Sequence, residues 1–240
     1  MFRLLILLCA CATAFGALPK GWKACSKSDS KYSECLSKEM FNAVKSLEHG
    51  NKKLGVLPLD PLRITKMQIS KGNGPVAIEL LLTDLDIHGI TDSKIKNVKN
   101  DWKTMEIEIL IPRLEILSNY KIDGKVLVLP IVGHGKANMT YDQLSIKAIC
   151  NWKEVEKDNT KYINMESLTI PFEAKRLYMD FENLFNGDEA LAKNMNNFLN
   201  ENWDAILNEL RKPISEGLSV VLINFSNQIL NKIPFSDINK

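Results

Sequence analysis

Few residues in this chain could do acid–base or metal chemistry, and they are scattered. The sequence contains three histidines: His49, His88 and His134. Asp84, Asp86 and His88 alternate and would share one strand face, a pattern more typical of a solvated surface than of a metal site. Two glycines flank His134, which favours a flexible bend. The sequence contains no nucleophile-elbow, zinc-protease or phosphate-loop motif, so it predicts no enzyme, metal or cofactor.

The first 16 residues have the order of a secretory signal peptide. Arg3 precedes an apolar run, and small residues follow it. Cleavage after Ala14 or Gly16 would leave one domain of residues 17–240. The apolar run is too short to span a bilayer. The sequence therefore predicts a secreted, extracellular protein without stable membrane insertion.

The net charge of the chain argues against some kinds of binding partner. The chain carries 31 Lys and Arg against 29 Asp and Glu, and loss of Arg3 would leave 30 against 29. A net charge this close to zero argues against binding to nucleic acid and against strong attraction to anionic membranes.

Nothing in the sequence demands a dimer, so we expect a monomer.

Removal of the signal peptide would leave three cysteines. Cys25 and Cys35 are expected to form a disulfide in an oxidising compartment, and Cys150 is expected to be a buried apolar residue without a partner. Two sequons, at Asn138 and Asn224, are candidates for N-glycosylation in a secreted chain.

The periodicity of apolar residues changes twice along the chain. It predicts a short helix over 33–48 and then strands from Leu62 to about Phe181, with turns between them. The alternating sets are Val76, Ile78, Leu80 and Leu82; Met105, Ile107, Ile109 and Ile111; Ile122, Val126 and Val128 across a turn or bulge at Asp123-Gly124; and Leu168, Ile170 and Phe172. Because no helix-length pattern separates these sets, the strands should pair antiparallel.

A helical period returns near Asn186, the expected N-cap, and continues to about Ile233. Apolar residues recur every three or four positions, and Pro213 should kink the helix. A helix this long needs a partner of similar length, and its repeat is poor for a coiled coil. We therefore expect an α+β fold: one long C-terminal helix wrapped by an antiparallel β-sheet, in an elongated single domain.

The sequence resembles the takeout and juvenile-hormone-binding protein family of secreted insect carriers. The resemblance rests on the early cysteine pair, on LPLDPLRI (57–64), on GKVLVLPIVGHGKANMT (124–140) and on FENLFNGDEALAKNMNNFLNENW (181–203). It implies a highly curved antiparallel sheet wrapped around the long helix, no catalysis, and an internal hydrophobic tunnel that binds a small hydrophobic ligand such as a terpenoid hormone or fatty acid. The second disulfide of the juvenile-hormone binders cannot form here, because no cysteine follows Cys150. That departure favours the takeout-like branch.

The predicted tunnel lining consists of inward-facing strand and helix positions, each of which could instead be ordinary core. The set is Leu80, Leu82, Ile107, Ile109, Val126, Val128, Met165, Phe172, Met179, Met195, Phe198 and Trp203, with Tyr120, Tyr141 and Tyr178 as hydroxyl donors to a ligand headgroup. The alternative function is a membrane- or glycolipid-binding defence protein of the same architecture. That function requires a basic tip, which the near-zero charge does not favour.

Overall fold

The computed structural model describes residues 18–240, so the predicted signal peptide lies outside the described residues. Helix α1 covers Tyr32–Ser46, which confirms the short helix predicted there. Helices α2 (Glu189–Glu201), α3 (Trp203–Leu230) and α4 (Phe235–Ile238) follow the strands.

Between α1 and α2, eight antiparallel strands form one sheet. They are β1 (Leu62–Lys71), β2 (Val76–His88), β3 (Lys94–Asn100), β4 (Thr104–Val126), β5 (Leu129–Lys157), β6 (Thr160–Thr169), β7 (Phe172–Glu173) and β8 (Arg176–Phe181). Strands β1, β2, β4, β5 and β6 are neighbours in that order, with β3 on β4 and with β7 and β8 on β5. The predicted antiparallel pairing is confirmed.

Strands β4 and β5 form the long axis of the sheet. They contain 23 and 29 residues and pair from Thr104 opposite Asn151 to a turn at Leu127 and Val128. A straight strand of 23 residues, the length of β4, would measure about 75 Å. The turn or bulge predicted at Asp123-Gly124 is wrong, because both residues lie inside β4 and pair with β2 and β5 without a register shift. A Cβ there would approach the Ala77 carbonyl oxygen to 2.3 Å, so the close approach of β2 requires glycine.

Strand β4 changes its pairing partner from β3 to β2 at Pro112. Residues 105–110 of β4 pair with β3, and residues 115–126 pair with β2. Pro112 falls between these ladders, where its missing N–H costs no strand pairing. Opposite it, Gln143 of β5 has a positive φ of 51° and is skipped in the pairing. The sheet therefore has two halves that share β4 and β5.

The concave face of both halves covers α3, and α2 lies against β8. One apolar cluster joins β1, β2, β4, β5 and β8 to the C-terminal helices, and a second joins β3 and β6 to α1 and α3. Ile109, Ile146, Leu218 and Leu222 pack against both clusters. The expected fold class, a curved antiparallel sheet around a long C-terminal helix in one domain, is confirmed.

The C-terminal helix differs in detail from its prediction. The N-cap is Asp188, whose carboxylate accepts from the Leu191 N–H at 3.0 Å, and not Asn186. The helix is interrupted at Asn202, where the side-chain amide donates to the Phe198 carbonyl oxygen at 2.8 Å. An asparagine side chain that binds nearby backbone competes with helix formation, which explains the interruption.

Pro213 does not end α3, because β1 satisfies the carbonyl that proline leaves free. Pro213 has no N–H for the carbonyl of Glu209, four residues before it. The Lys71 ammonium donates to that carbonyl oxygen at 3.2 Å and to the Glu209 carboxylate at 2.6 Å. Helix α3 therefore continues through Pro213, and Lys71 joins edge strand β1 to this helix.

Two asparagines of α2 bind the free edge of β8. The Asn196 amide accepts from the Phe181 N–H at 3.0 Å and donates to the Phe181 carbonyl at 2.9 Å. Asn200 makes the same two bonds to Met179, at 2.9 and 2.6 Å. The spacing fits because one helical turn and two strand residues each advance roughly 6 Å.

Asn227 of α3 repeats this contact on β6. Its amide accepts from the Met165 N–H at 2.7 Å and donates to the Met165 carbonyl at 3.0 Å. A side-chain amide thus replaces a missing strand neighbour, as an edge strand requires if its backbone groups are to be satisfied. We call Asn196, Asn200 and Asn227 the edge asparagines.

We predict that Asn200→Ala lowers the free energy of unfolding by about 1–3 kcal/mol, because it leaves the Met179 N–H and carbonyl unpaired. Urea denaturation followed by circular dichroism measures this loss. Asn197→Ala is the matched control, since Asn197 is exposed on the same helix and should change stability by less than about 0.5 kcal/mol. Equal losses in the two variants would contradict the proposed role of the edge asparagines.

Candidate ligand-binding site

An apolar void lies between the sheet and α3, in the half of the molecule that contains β1 and β2. Its lining comes from β1, β2, β4, β5 and β8 and from α2 and α3. The lining residues are Met67, Ile69, Ile78, Leu80, Leu82, Leu85, Ile87, Ile116, Ile122, Val126, Ile131, Met139, Tyr141, Leu177, Met179, Phe181, Leu199, Ile206, Leu207, Leu210, Ile214 and Leu218. Of these residues, only Tyr141 carries a polar side-chain atom.

The void measures about 80 Å³. Pockets for drug-sized ligands are roughly 300–1,000 Å³, so the void as it stands admits no such ligand. Three of its lining residues are methionines: Met67, Met139 and Met179. Their unbranched side chains can adopt alternative packings at a low cost in free energy. The lining therefore combines an apolar surface with the capacity to rearrange.

Tyr141 differs from Tyr120 in what its hydroxyl contacts. The Tyr120 hydroxyl donates to the Glu182 carbonyl at 2.7 Å, and its ring packs edge-on against Phe181. Burial raises the pKa of both tyrosines to about 12, and for Tyr141 burial is the sole cause. Both hydroxyls therefore stay protonated at physiological pH, and Tyr141 is one of the residues that line the void.

A second, open cleft of about 1040 Å³ lies where α3 passes the β6–β7 connection. Its apolar part includes Ile109, Ile146, Leu168, Pro171 and Phe172. Its polar part includes Ser215 and Ser219 of α3, with the cations Lys96, Lys147, Arg211 and Lys212 and the carboxylates Glu108, Glu173 and Glu216. The cleft thus offers both an apolar surface and charged groups.

The structure brings part of the predicted tunnel lining together. Leu80, Leu82, Val126, Tyr141 and Met179 line the void, and Ile109 and Phe172 line the cleft. Ile107, Met165 and Met195 are buried in the core beside neither space. Phe198 and Trp203 are half-buried against the core.

Three predicted lining residues lie elsewhere. Val128 is 82% exposed in the β4–β5 turn, because the turn comes one residue earlier than the alternation required. Tyr178 is exposed on the outer face of β8, where it stacks with Arg176. Tyr120 is buried, but its hydroxyl is already bound to a backbone carbonyl and cannot serve as a free donor to a headgroup.

Several void residues were missed in the sequence. Ile206, Leu210, Ile214 and Leu218 belong to the predicted apolar stripe of the helix, so the signal was present. What the sequence lacked was the position of the helix interruption, which decides where along α3 the stripe meets β1 and β2. The cleft residues Arg211, Ser215 and Ser219 carry no motif.

The histidine and aspartate candidates lie apart from both spaces. Asp86 forms an ion pair with Arg63 at 2.6 Å, and Asp84 accepts from Asn119 at 3.2 Å. His134 lies inside β5, so the interpretation of its segment as a flexible bend is wrong. Among residues 18–240, no group of three or more His, Cys, Asp or Glu side chains is placed to hold a metal ion.

The cysteine predictions are confirmed. Cys25 and Cys35 form a disulfide, and Cys150 is free and buried in the cluster of β3, β6 and α1. Burial raises the pKa of the Cys150 thiol to about 11.

The amino-acid sequence is similar to one protein family and to individual proteins within two fly species. The family model described as haemolymph juvenile hormone binding protein matches residues 4–240. The chain is 24% identical over 229 residues to the circadian clock-controlled protein daywake of Drosophila melanogaster, covering 91% of this chain and 87% of that protein. The daywake protein of Drosophila yakuba is 22% identical over 216 residues, which cover 86% of this chain and 83% of that protein.

A solved structure is similar over nearly the whole chain. The crystal structure of Takeout 1 from Epiphyas postvittana superposes with a TM-score of 0.80 at 23% identity, covering 91% of this chain and 99% of that one. This likeness shows a shared fold. Within the described part of the chain, no helix combines the length and the apolar character needed to cross a membrane.

We predict that Cys150 resists alkylation by iodoacetamide at pH 8 in the native protein, because only the thiolate reacts and burial keeps the thiol protonated. In urea the same residue should be labelled fully within the same reaction time. Intact-mass spectrometry counts the added groups, and Cys150→Ala is the control for the labelled site. Rapid labelling without denaturant would show that Cys150 is accessible as a thiolate.

Proposed function

The chain belongs to the haemolymph juvenile hormone binding protein family, and on that premise we propose that it is a secreted, non-catalytic carrier of one small hydrophobic ligand. The observation that supports this most is the void between the sheet and α3, whose lining is apolar except for Tyr141. Such a void excludes water and favours an apolar guest. We propose a terpenoid, a fatty acid or a similar lipid as the ligand class.

The void is proposed to expand into a tunnel when a ligand enters. Expansion displaces Met67, Met139 and Met179 without exposing a buried charge or breaking a backbone hydrogen bond. A ligand that buries 300 Å² of apolar surface gains roughly 7 kcal/mol at 25 cal/mol per Å², which exceeds the cost of repacking a few side chains at about 1–3 kcal/mol.

Tyr141 is proposed to orient the ligand. Tyr141 is the lining residue with a hydroxyl, and its pKa of about 12 keeps that hydroxyl a donor. A ligand oxygen placed against it would gain a hydrogen bond in a site that water does not reach, where an unpaired ligand oxygen would be costly. Ligands that carry one terminal oxygen function therefore suit the site better than pure hydrocarbons.

Secretion is proposed from three features together. The predicted signal peptide occupies residues 1–16, and the Cys25–Cys35 disulfide is typical of an oxidising compartment. Of the two sequons, Asn224 is exposed on α3. Asn138 lies in β5 between β4 and β8, and its amide donates to Glu115 at 3.0 Å. We propose that Asn224 carries the glycan.

We predict that Leu82→Trp weakens binding of the apolar fluorescent probe N-phenyl-1-naphthylamine at least about tenfold, because the indole fills the space that the ligand needs. Leu81→Trp is the matched control, since the neighbouring side chain faces away from the void lining. Leu82→Ala enlarges the void and should preserve binding, and it serves as the second variant if Leu82→Trp does not fold.

Equal probe affinity in Leu82→Trp and Leu81→Trp would contradict binding in the void. Extraction and mass spectrometry of the protein from its native source provide the independent test, for which a carrier should yield one class of bound lipid. Calcein leakage from anionic vesicles, with no lipid recovered, would instead indicate a membrane-active defence protein.

We predict that Asn224→Gln abolishes the mobility shift produced by peptide-N-glycosidase in protein secreted from insect cells. Asn138→Gln should keep the shift, because the Asn138 amide is hydrogen-bonded inside the sheet. Loss of the shift in Asn138→Gln alone would reverse the assignment.

A further inference from the structure

Arg211 is the one cation of the cleft with a buried, unused donor. Its side chain is 30% exposed, and among the described residues its Nε atom has no hydrogen-bond partner. Its nearest carboxylate, Asp204, is 61% exposed and 3.8 Å from Nη2, so it competes only weakly for the guanidinium. A buried N–H without an acceptor is costly, and a bound anion would relieve that cost.

The other cations of the cleft are engaged or solvated. Lys147 lies 3.4 Å from Glu106, Lys212 is 87% exposed beside Glu216, and Lys96 is exposed. Arginine also presents its donors in a planar fork that matches a carboxylate, which an ammonium group does not. The cleft therefore contains one well-placed partner for a planar anion.

The surrounding charges favour an anion with a single negative charge. Glu108, Glu173 and Glu216 share the cleft with Arg211 and would repel a dianionic phosphate more strongly than a carboxylate. The two serines of α3, Ser215 and Ser219, already donate to the carbonyls of Ile170 and Ser215, so they offer lone pairs and no free proton to an anion.

The cleft and the void have lining residues that contact each other. The Phe172 ring faces the cleft and contacts edge-on the Tyr141 ring, which faces the void, with 6.4 Å between the ring centroids. On α3, Leu218 lines the void and its neighbour Ser219 lines the cleft. The shortest route for an alkyl chain from the cleft to the apolar interior therefore passes between Phe172 and Tyr141.

We propose that the cleft is the headgroup site for a long-chain carboxylic acid, with Arg211 binding the carboxylate and the chain passing the Phe172–Tyr141 contact into the void. This inference rests on the proposed carrier function and specifies its ligand class and its orientation: the headgroup of an acid binds Arg211 in place of Tyr141, which then lies beside the alkyl chain. Arg211 is then a specificity-determining residue that separates acids from alcohols and esters of the same chain length.

The test compares palmitic acid with hexadecanol and methyl palmitate, each displacing the fluorescent probe from wild type, Arg211→Met and Lys212→Met. Arg211→Met keeps the length and apolar stem of the side chain but removes the guanidinium. We expect about a tenfold or greater loss of affinity for the acid, as for a charge-assisted hydrogen bond, and a change of less than about twofold for the alcohol and ester. Lys212→Met should leave all three affinities unchanged.

The possible outcomes separate this proposal from the carrier function. If Arg211→Met binds all three ligands as wild type does, the headgroup site is overturned and the carrier function stands. If wild type binds the probe but none of the three, the headgroup site is overturned and the carrier function stands; if it binds neither the probe nor any of the three, both are overturned. Arg211→Lys, which retains the charge and loses the fork, should show an intermediate loss for the acid alone. A loss that is equal for acid and alcohol in both Arg211 variants would assign Arg211 to folding and overturn the proposal.

Discussion

The attachment of the C-terminal helices to the free edges of the sheet is the constraint on which the rest of the structure depends. A strongly curved open sheet has two edges with unpaired backbone groups, and a helix offers no strand to pair with them. The edge asparagines solve this at β6 and β8, where each amide replaces one strand residue. At β1 the Lys71 ammonium makes the corresponding link to the helix. The polar contacts that hold the helices thus lie at the margins of the sheet.

This arrangement leaves the middle of the sheet–helix interface to apolar contacts alone. Apolar contacts are non-directional, so side chains there can exchange one packing for another at modest cost, whereas hydrogen bonds at the margins fix the backbone. The three methionines of the void and the Phe172–Tyr141 contact belong to this central, adaptable region. A fixed frame with a repackable centre suits a protein that must admit a guest between two layers without unfolding.

The sequence predicted the frame better than the site. Alternating apolar residues specify which strand positions face inward, so Leu80, Leu82 and Val126 were correctly predicted to be buried on the inner face of the sheet. Alternation cannot specify where a hairpin turns, so Val128 was misplaced. The interruption at Asn202 depends on one side chain competing for a nearby carbonyl. The tolerance of Pro213 depends on a lysine 142 residues earlier in the chain. Neither event leaves a local pattern, and the cleft around Arg211 exists only because distant segments meet.

The segment that contains the disulfide lies beside the C-terminal residues of the chain. Cys25 is bridged to Cys35 at the start of α1, and its own backbone forms a parallel bridge with Asn239, while the Lys27 N–H donates to the Lys240 carbonyl at 2.8 Å. The first and last segments of the described chain therefore lie side by side. A short linker could join the two ends and new termini could be opened in a surface turn, so this scaffold is suited to circular permutation.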